Sequence, residues 1–125
     1  MASNPVSWFE IYVKDIERAK TFYEEVFQVR LQLLPSPAPN ARFLAFPGEM
    51  TAPGITGSLV QMDGVPCGGS GTLIYFHSED CTTEQERIVP AGGTIHCPKM
   101  SIGQFGFVAL AVDPDGNLFG LHSVG

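Results

Sequence analysis

The order of predicted elements occurs twice in this chain, and that repetition constrains its fold more than any other feature. Each half begins with a β-branched and aromatic run typical of a strand, continues into an amphipathic helix and ends in three further strand patterns. The predicted strands of the first half cover residues 6–13, 29–34, 42–46 and 55–62. Those of the second half cover residues 72–76, 94–97, 105–112 and 118–123. The halves share little direct identity, so the repeat is one of element order.

A helix is predicted after the first strand of each half. Asp15 is the candidate N-cap of the first helix, because its carboxylate can accept from the free N–H groups of the first turn. The apolar side chains that follow fall on one helical stripe: Ile16, Ala19, Phe22, Tyr23, Val26 and Phe27. The second helix is predicted near residues 80–89, with Asp80 or Thr82 as its N-cap. Pro90 should end it, since proline lacks an N–H and clashes with the preceding turn.

The length of 125 residues predicts one domain, residues 1–125. Module one covers about 5–62, a turn-rich linker covers 63–70 and module two covers 71–125. A unit of about 60 residues buries too little surface to be more than marginally stable alone. The two modules should therefore pack against each other or exchange strands with a second chain. Between the last two strands, DPDGN at residues 113–117 is typical of a tight turn.

Charge, hydropathy and cysteine usage exclude several classes of protein. A net charge of −6 with only seven Lys and Arg gives no basic surface for nucleic acid. A membrane-spanning helix needs a run of about 18 apolar residues, and the sequence has no run near that length. The first residues also lack the basic region that a signal peptide would have. Cys67, Cys81 and Cys97 are an odd number without CxxC spacing. We therefore expect reduced thiols in a cytoplasmic protein.

Three stretches carry a resemblance to a known family. They are FEIYVKDIERAKTFYEEVF at residues 9–27, GITGSLVQ at residues 54–61 and PAGGTIHCPKMSIGQFGFVALAVDPDGNLFGLHS at residues 90–123. Together with the element order, they resemble the vicinal oxygen chelate superfamily, which has the glyoxalase/bleomycin-resistance fold. The resemblance implies an α+β fold in which two βαβββ modules form curved mixed sheets with a concave cavity.

The resemblance also implies where a metal would bind. Members of the superfamily hold a divalent ion with four His, Glu or Gln side chains, one from the first and one from the fourth strand of each module. Matching the motifs puts those places at Trp8, Ser58, Thr72 and Gly120. Tryptophan and glycine offer no donor, and a serine and a threonine hydroxyl are poor ligands by themselves. We therefore expect no metal and no other cofactor at these four places.

Glu10 and His122 are the candidate polar centre of the cavity. Each lies two residues beyond one of the four places, so strand alternation turns both toward the concave face. An inward carboxylate and imidazole are costly to bury unless paired, so we expect them within hydrogen-bond reach. Four interpretations stay open: a structural hydrogen bond, a polar anchor for a ligand, a general acid–base pair and a shifted metal site. His77, at a strand end before the second helix, is interpreted as a solvated histidine.

Two classes of function follow. The first is a metal-independent protein of the bleomycin-resistance kind that binds a small organic molecule in the cavity. Its expected lining comprises Trp8, Tyr12, Ser58, Thr72, Phe105 and Gly120, with a loop at residues 99–104 at the cavity mouth. The alternative is a lyase, isomerase or dioxygenase-type enzyme that uses Glu10 and His122 as an acid–base pair or as shifted metal ligands. The exposed sheet edges of such modules predict a two-fold homodimer.

Overall fold

The computed structural model describes residues 6–36, 39–49, 51–69 and 71–125, which form two four-stranded mixed sheets and two α-helices. Module one contains strands β1 (Phe9–Tyr12), β2 (Gln32–Leu34), β3 (Ala41–Ala45) and β4 (Gly57–Met62) and helix α1 (Ile16–Phe27). Module two contains strands β5 (Tyr75–His77), β6 (Thr94–Ser101), β7 (Phe107–Val112) and β8 (Leu118–Ser123) and helix α2 (Cys81–Ile88). The predicted α+β fold with two βαβββ modules is confirmed.

The two sheets have the same strand order. In module one, β1 pairs in parallel with β4, β4 pairs antiparallel with β3, and β2 forms the far edge. Module two repeats this order with β5, β8, β7 and β6. The first strand of each module is therefore an edge strand beside the last. This register places Glu10 beside Ser58 and Tyr75 beside Gly120.

The first strand of each module is shorter than its sequence pattern predicts. β1 begins at Phe9, which pairs with Gly57 at the start of β4. Residues 6–8 lie before the first paired position and so fall outside the strand. β5 begins at Tyr75 for the same reason, since its partner there is Gly120. Thr72 therefore precedes the strand in which it was expected.

Strand β6 is longer than predicted. It runs to Ser101, and one turn of 3-10 helix at Gly103–Phe105 follows it. Most of the expected loop at residues 99–104 is therefore strand or helical turn. Two register shifts against β7, between Ile95 and Met100, interrupt the pairing. Such irregularities break the simple alternation on which a sequence pattern depends, so the strand is hard to recognise in advance.

Both helices begin and end where their caps predict. Asp15 Oδ1 accepts from two backbone N–H groups of the first turn of α1, at 3.1 and 3.2 Å. Asp80 Oδ1 accepts from one such group of α2 at 2.9 Å. Helix α2 ends at Ile88, shortly before Pro90. Neither of these helices has the length and apolar character that crossing a bilayer requires.

One aromatic core joins the two modules. The ring of Tyr23, on α1, has its centroid 5.6 Å from that of Phe46 in module one and 5.8 Å from that of Phe119 in module two. Phe9 and Phe76, from the first strands of the two modules, meet edge to face at 5.9 Å. Edge-to-face contacts between rings add to the stabilisation that burial alone provides. The modules therefore pack against each other within a single chain.

A buried hydrogen bond lies within this core. Tyr23 Oη donates to Asp113 Oδ2 at 2.8 Å. Burial, and then the neighbouring Asp113 carboxylate, raise the pKa of Tyr23 well above its ordinary value. The hydroxyl therefore keeps its proton and remains a donor. It links helix α1 of module one to the DPDGN turn of module two.

The same turn also holds the linker and β1. Asp113 Oδ1 accepts from the backbone N–H groups of Asp115 and Asn117 at 2.8 and 2.9 Å, which closes the turn. Asn117 Nδ2 donates to the carbonyl of Tyr12 at 3.0 Å, and its Oδ1 accepts from the N–H of Gly68 at 2.7 Å. The β7–β8 turn is therefore bonded to the end of β1 and to the linker.

We predict that Tyr23→Phe destabilises the protein by about 1–3 kcal/mol, because the buried Asp113 carboxylate loses its hydroxyl donor. Urea unfolding followed by circular dichroism measures the change. Tyr75→Phe is the matched control: Tyr75 is 48% exposed, and we expect its change to stay within about ±0.5 kcal/mol. Equal effects of the two substitutions would show that the buried hydrogen bond contributes nothing.

Candidate functional site

The sheet of module two forms a concave cavity, here called the module-two cup. Its volume is about 500 Å³, and it is lined by Tyr75, His77, Met100, Ile102, Val108, Leu110 and His122. The two histidines are register partners on the adjacent parallel strands β5 and β8. The cup therefore combines largely apolar walls with two neighbouring imidazoles, the composition common in small-molecule sites.

A contact with the 3-10 turn positions His122. Its Nε2 lies 2.7 Å from the carbonyl oxygen of Phe105. A carbonyl can only accept, so this contact assigns a proton to Nε2, which donates to it. Phe105 itself is 67% exposed at this turn. Phe105, predicted to line the cavity with its ring, instead contacts His122 through its backbone carbonyl, while its ring faces solvent.

A second cavity, here called the seam cleft, is lined by residues around the edge strands β1 and β5. Its volume is about 460 Å³, and its lining residues are Val6, Trp8, Phe9, Glu10, Ile55, Thr72, Leu73, Ile74, Tyr75 and Phe76. Tyr75 lines the seam cleft and the module-two cup alike. The two cavities therefore meet at this tyrosine.

A third, smaller cavity of about 240 Å³ lies against the linker and also includes Glu10 and Thr72 in its lining. Tyr12 joins it, and Tyr12 Oη donates to Glu10 Oε1 at 2.8 Å. This hydrogen bond, followed by partial burial and the charge of Glu10, raises the pKa of Tyr12. Tyr12 therefore acts as a neutral donor that orients the Glu10 carboxylate.

The predicted contact between Glu10 and His122 is wrong. Across the described residues no hydrogen bond or ion pair joins them: Glu10 is bonded to Tyr12, and His122 to Phe105. They also line different cavities. Strand alternation predicts which face of a sheet a side chain takes, but β1 and β8 belong to different sheets. Glu10 and His122 are therefore not arranged as a pair for acid–base chemistry.

Counting from the helix N-caps corrects one of the four metal-ligand places. Trp8 lies as far before Asp15 as Leu73 lies before Asp80, so Leu73 rather than Thr72 occupies the corresponding place in module two. Segments inside the two modules differ in length, so no single offset relates all corresponding residues. Trp8, Thr72 and Leu73 all line the seam cleft.

The fourth-strand places, Ser58 and Gly120, are both closed off. Ser58 is fully buried, and its Oγ has no hydrogen-bond partner in the part of the chain that the structure describes. The ring of Tyr75 covers Gly120 so closely that a Cβ there would lie 2.4 Å from its Cδ1. Sequence reasoning missed this role of Tyr75. The contact joins two strands that are far apart in the sequence, so it depends on the β5–β8 register and not on neighbouring residues. Sequence reasoning also missed His77, which is solvent-exposed as predicted but lines the cup.

These residues do not fit a divalent metal. Trp8, Leu73 and Gly120 supply no donor, and the single hydroxyl of Ser58 is far from the three or four ligands that such an ion requires. Within residues 6–36, 39–49, 51–69 and 71–125, no group of three or more His, Cys, Asp or Glu side chains could hold an ion.

The family of the chain follows from comparison with known proteins. The model of the Glyoxalase/Bleomycin resistance protein/Dioxygenase superfamily matches residues 6–121. This chain belongs to that superfamily. The predicted resemblance is therefore confirmed. Comparison with curated proteins finds no match.

Solved structures from the superfamily share the fold. TnmS3, an antibiotic binding protein from Streptomyces sp. CB03234, is 29% identical with a TM-score of 0.67, and the match covers 100% of this chain and 99% of that one. A superfamily member from Sphaerobacter thermophilus DSM 20745 is 24% identical with a TM-score of 0.71, over 97% and 98% of the two chains.

Glyoxalase I from Zea mays is 22% identical with a TM-score of 0.74. The match covers 95% of this chain but 46% of the maize chain, so this chain spans about half the length of that enzyme. At this identity the comparison shows the fold alone.

We predict that the protein, purified without a histidine tag, carries well below one transition-metal ion per chain. The reason is the donor set at Trp8, Ser58, Leu73 and Gly120. Elemental analysis measures the content, and dialysis against a chelator should leave the melting temperature unchanged. Near-stoichiometric zinc, nickel or iron would contradict this prediction and direct attention to Glu10 and His122.

Proposed function

We propose that this superfamily member binds a small organic molecule in the module-two cup and does so without the metal used by its enzymatic relatives. The observation that carries the proposal is the cup itself. It has apolar walls from Met100, Ile102, Val108 and Leu110, and its polar groups are two adjacent imidazoles and a tyrosine hydroxyl. Known ligand cavities occupy about 300–1,000 Å³ and have this mixture of apolar lining and few polar groups.

The comparison with TnmS3 supports a binding protein over an enzyme. TnmS3 is an antibiotic binding protein, and it matches this chain over nearly the full length of both. The enzyme alternative required Glu10 and His122 to act together, and in the chain each is bonded elsewhere. No observation at the site favours a lyase, isomerase or dioxygenase reaction.

The ligand contacts that we propose differ from those predicted from sequence. His77, Leu110 and His122 would contact the ligand in the cup, and Tyr75 would contact it where the cup meets the seam cleft. Trp8 and Thr72 would contact a ligand in the seam cleft, and Tyr12 would contact one in the smaller cavity against the linker. Phe105 would contribute through its carbonyl, which holds His122. Ser58 and Gly120 are buried and line none of these cavities, so they would not touch the ligand.

A cytoplasmic location remains part of the proposal. The three cysteines are unpaired, and Cys81 is buried while Cys67 and Cys97 are half-buried. Free thiols of this kind suit a reducing compartment.

We predict that the protein is a homodimer. Large apolar side chains around the two cavities are exposed: Trp8, Tyr75, Met100, Ile102 and Phe105. A second copy that covers part of this patch would remove apolar surface from water. Light scattering should give twice the mass of one chain at micromolar concentrations, and dilution should lower it. A constant monomer mass would contradict the prediction.

We predict that small organic molecules with an apolar body stabilise the protein through the cup. A ligand at one hundred times its Kd stabilises the folded state by about 2.7 kcal/mol, which thermal shift detects readily. Leu110→Trp should abolish the shift, because the larger ring fills the cup. The matched control is Leu33→Trp on β2, where the side chain is 68% exposed and away from both cavities. A shift that survives Leu110→Trp would place the ligand elsewhere.

A further inference from the structure

The seam cleft contains one charged side chain. Among the described residues that line it, Glu10 alone carries an acidic or basic side chain, and the remaining side chains are aromatic or aliphatic apart from Thr72. Two aromatic residues at its edge are partly open to solvent: Trp8 is 41% exposed and Tyr75 is 48% exposed. A carboxylate bordered by aromatic side chains is a chemically distinct environment, and the module-two cup does not provide it.

The Glu10 carboxylate has no cationic partner in the described part of the chain. The ion pairs there involve the acidic residues Asp115, Glu24, Glu17 and Asp80. Glu10 instead accepts one hydrogen bond, at Oε1, from the neutral hydroxyl of Tyr12. That bond orients the carboxylate, which is exposed to solvent and has no ion-pair partner among the described residues. The net charge of −6 adds a field that attracts cations to the surface.

We propose that the seam cleft binds a positively charged organic group, such as a protonated amine or a quaternary ammonium. Glu10 supplies the counter-ion, and the ring faces of Trp8 and Tyr75 attract the cation through their quadrupoles. An anionic group would be repelled by Glu10, and a neutral one would leave the carboxylate without a charged partner.

This inference rests on the proposed function and specifies the class of ligand. Tyr75 lines both cavities, and the ligand that we propose passes over this side chain from one cavity to the other. Its apolar body lies in the module-two cup and its cationic end lies beside Glu10. The ligand is then an amphiphilic organic cation. A metal ion is a poor alternative occupant, since one carboxylate falls short of the ligands that an ion needs.

The test uses a matched pair of probes, 2-phenylethylammonium and 2-phenylethanol, which differ mainly in charge. Isothermal titration gives both affinities for the wild type and for Glu10→Gln. We expect the wild type to bind the ammonium about tenfold more tightly than the alcohol, a difference of about 1.4 kcal/mol. Glu10→Gln should remove that preference and leave the affinity for the alcohol unchanged.

A matched variant separates a local charge effect from a global one. Glu86→Gln makes the same change at an exposed position on α2, outside the lining of the seam cleft, and should keep the preference for the ammonium. Trp8 gives a local readout, since it is the only tryptophan of the chain. Its fluorescence should change when the ammonium binds to the wild type and much less when it is added to Glu10→Gln.

Several outcomes would overturn the proposal. These are equal affinities for the two probes, a preference that survives Glu10→Gln, or no binding of the ammonium at millimolar concentration. A change of Trp8 emission with protein concentration alone, without any effect of the probe, would assign the seam cleft to a second copy of the chain. If both probes bind equally and Leu110→Trp abolishes both in the titration, the cup binds small molecules and only the cation preference fails.

Discussion

The buried Asp113 carboxylate is one of the main links between the two modules. Asp113 accepts from Tyr23 on α1, and its other oxygen closes the turn that presents Asn117 to β1 and the linker. The bond from Tyr23 is buried and the others are partly buried, so leaving a partner unsatisfied is costly. The seam cleft is lined from both modules, so its shape depends on how they dock. The carboxylate that stabilises the core thereby also sets the geometry of the site, although it lines none of the cavities described.

The seam cleft lies beside the edge of each sheet, where the first strand has a partner on one side only. β1 and β5 are edge strands, and the residues just before them fall outside the ladder. Trp8 and Thr72 are such residues, and both line the seam cleft. Short edge strands also offer little backbone to another chain for sheet extension. The same feature thus limits unwanted pairing and leaves side chains available for a ligand.

Local signals predicted much of the fold. The cap at Asp15 and the apolar stripe after it located α1, because capping and helical period depend on nearby residues only. The position of Glu10 relative to His122 could not be predicted in this way. Alternation fixes the face of one strand, whereas the distance between two strands depends on sheet membership and module docking. Thr72 was misplaced for a related reason: the offset between corresponding residues differs between the first and the fourth strands, because segments inside the modules differ in length.

The ring of Tyr75 over Gly120 has a consequence for which substitutions position 120 can accept. A ligating side chain at position 120 needs the volume that the ring now fills. Accommodating such a side chain would require moving Tyr75, which lines both the cup and the seam cleft. A ligating side chain at position 120 would therefore need at least two substitutions. The two positions are sterically coupled, so a larger residue at position 120 is tolerated only together with a change at position 75.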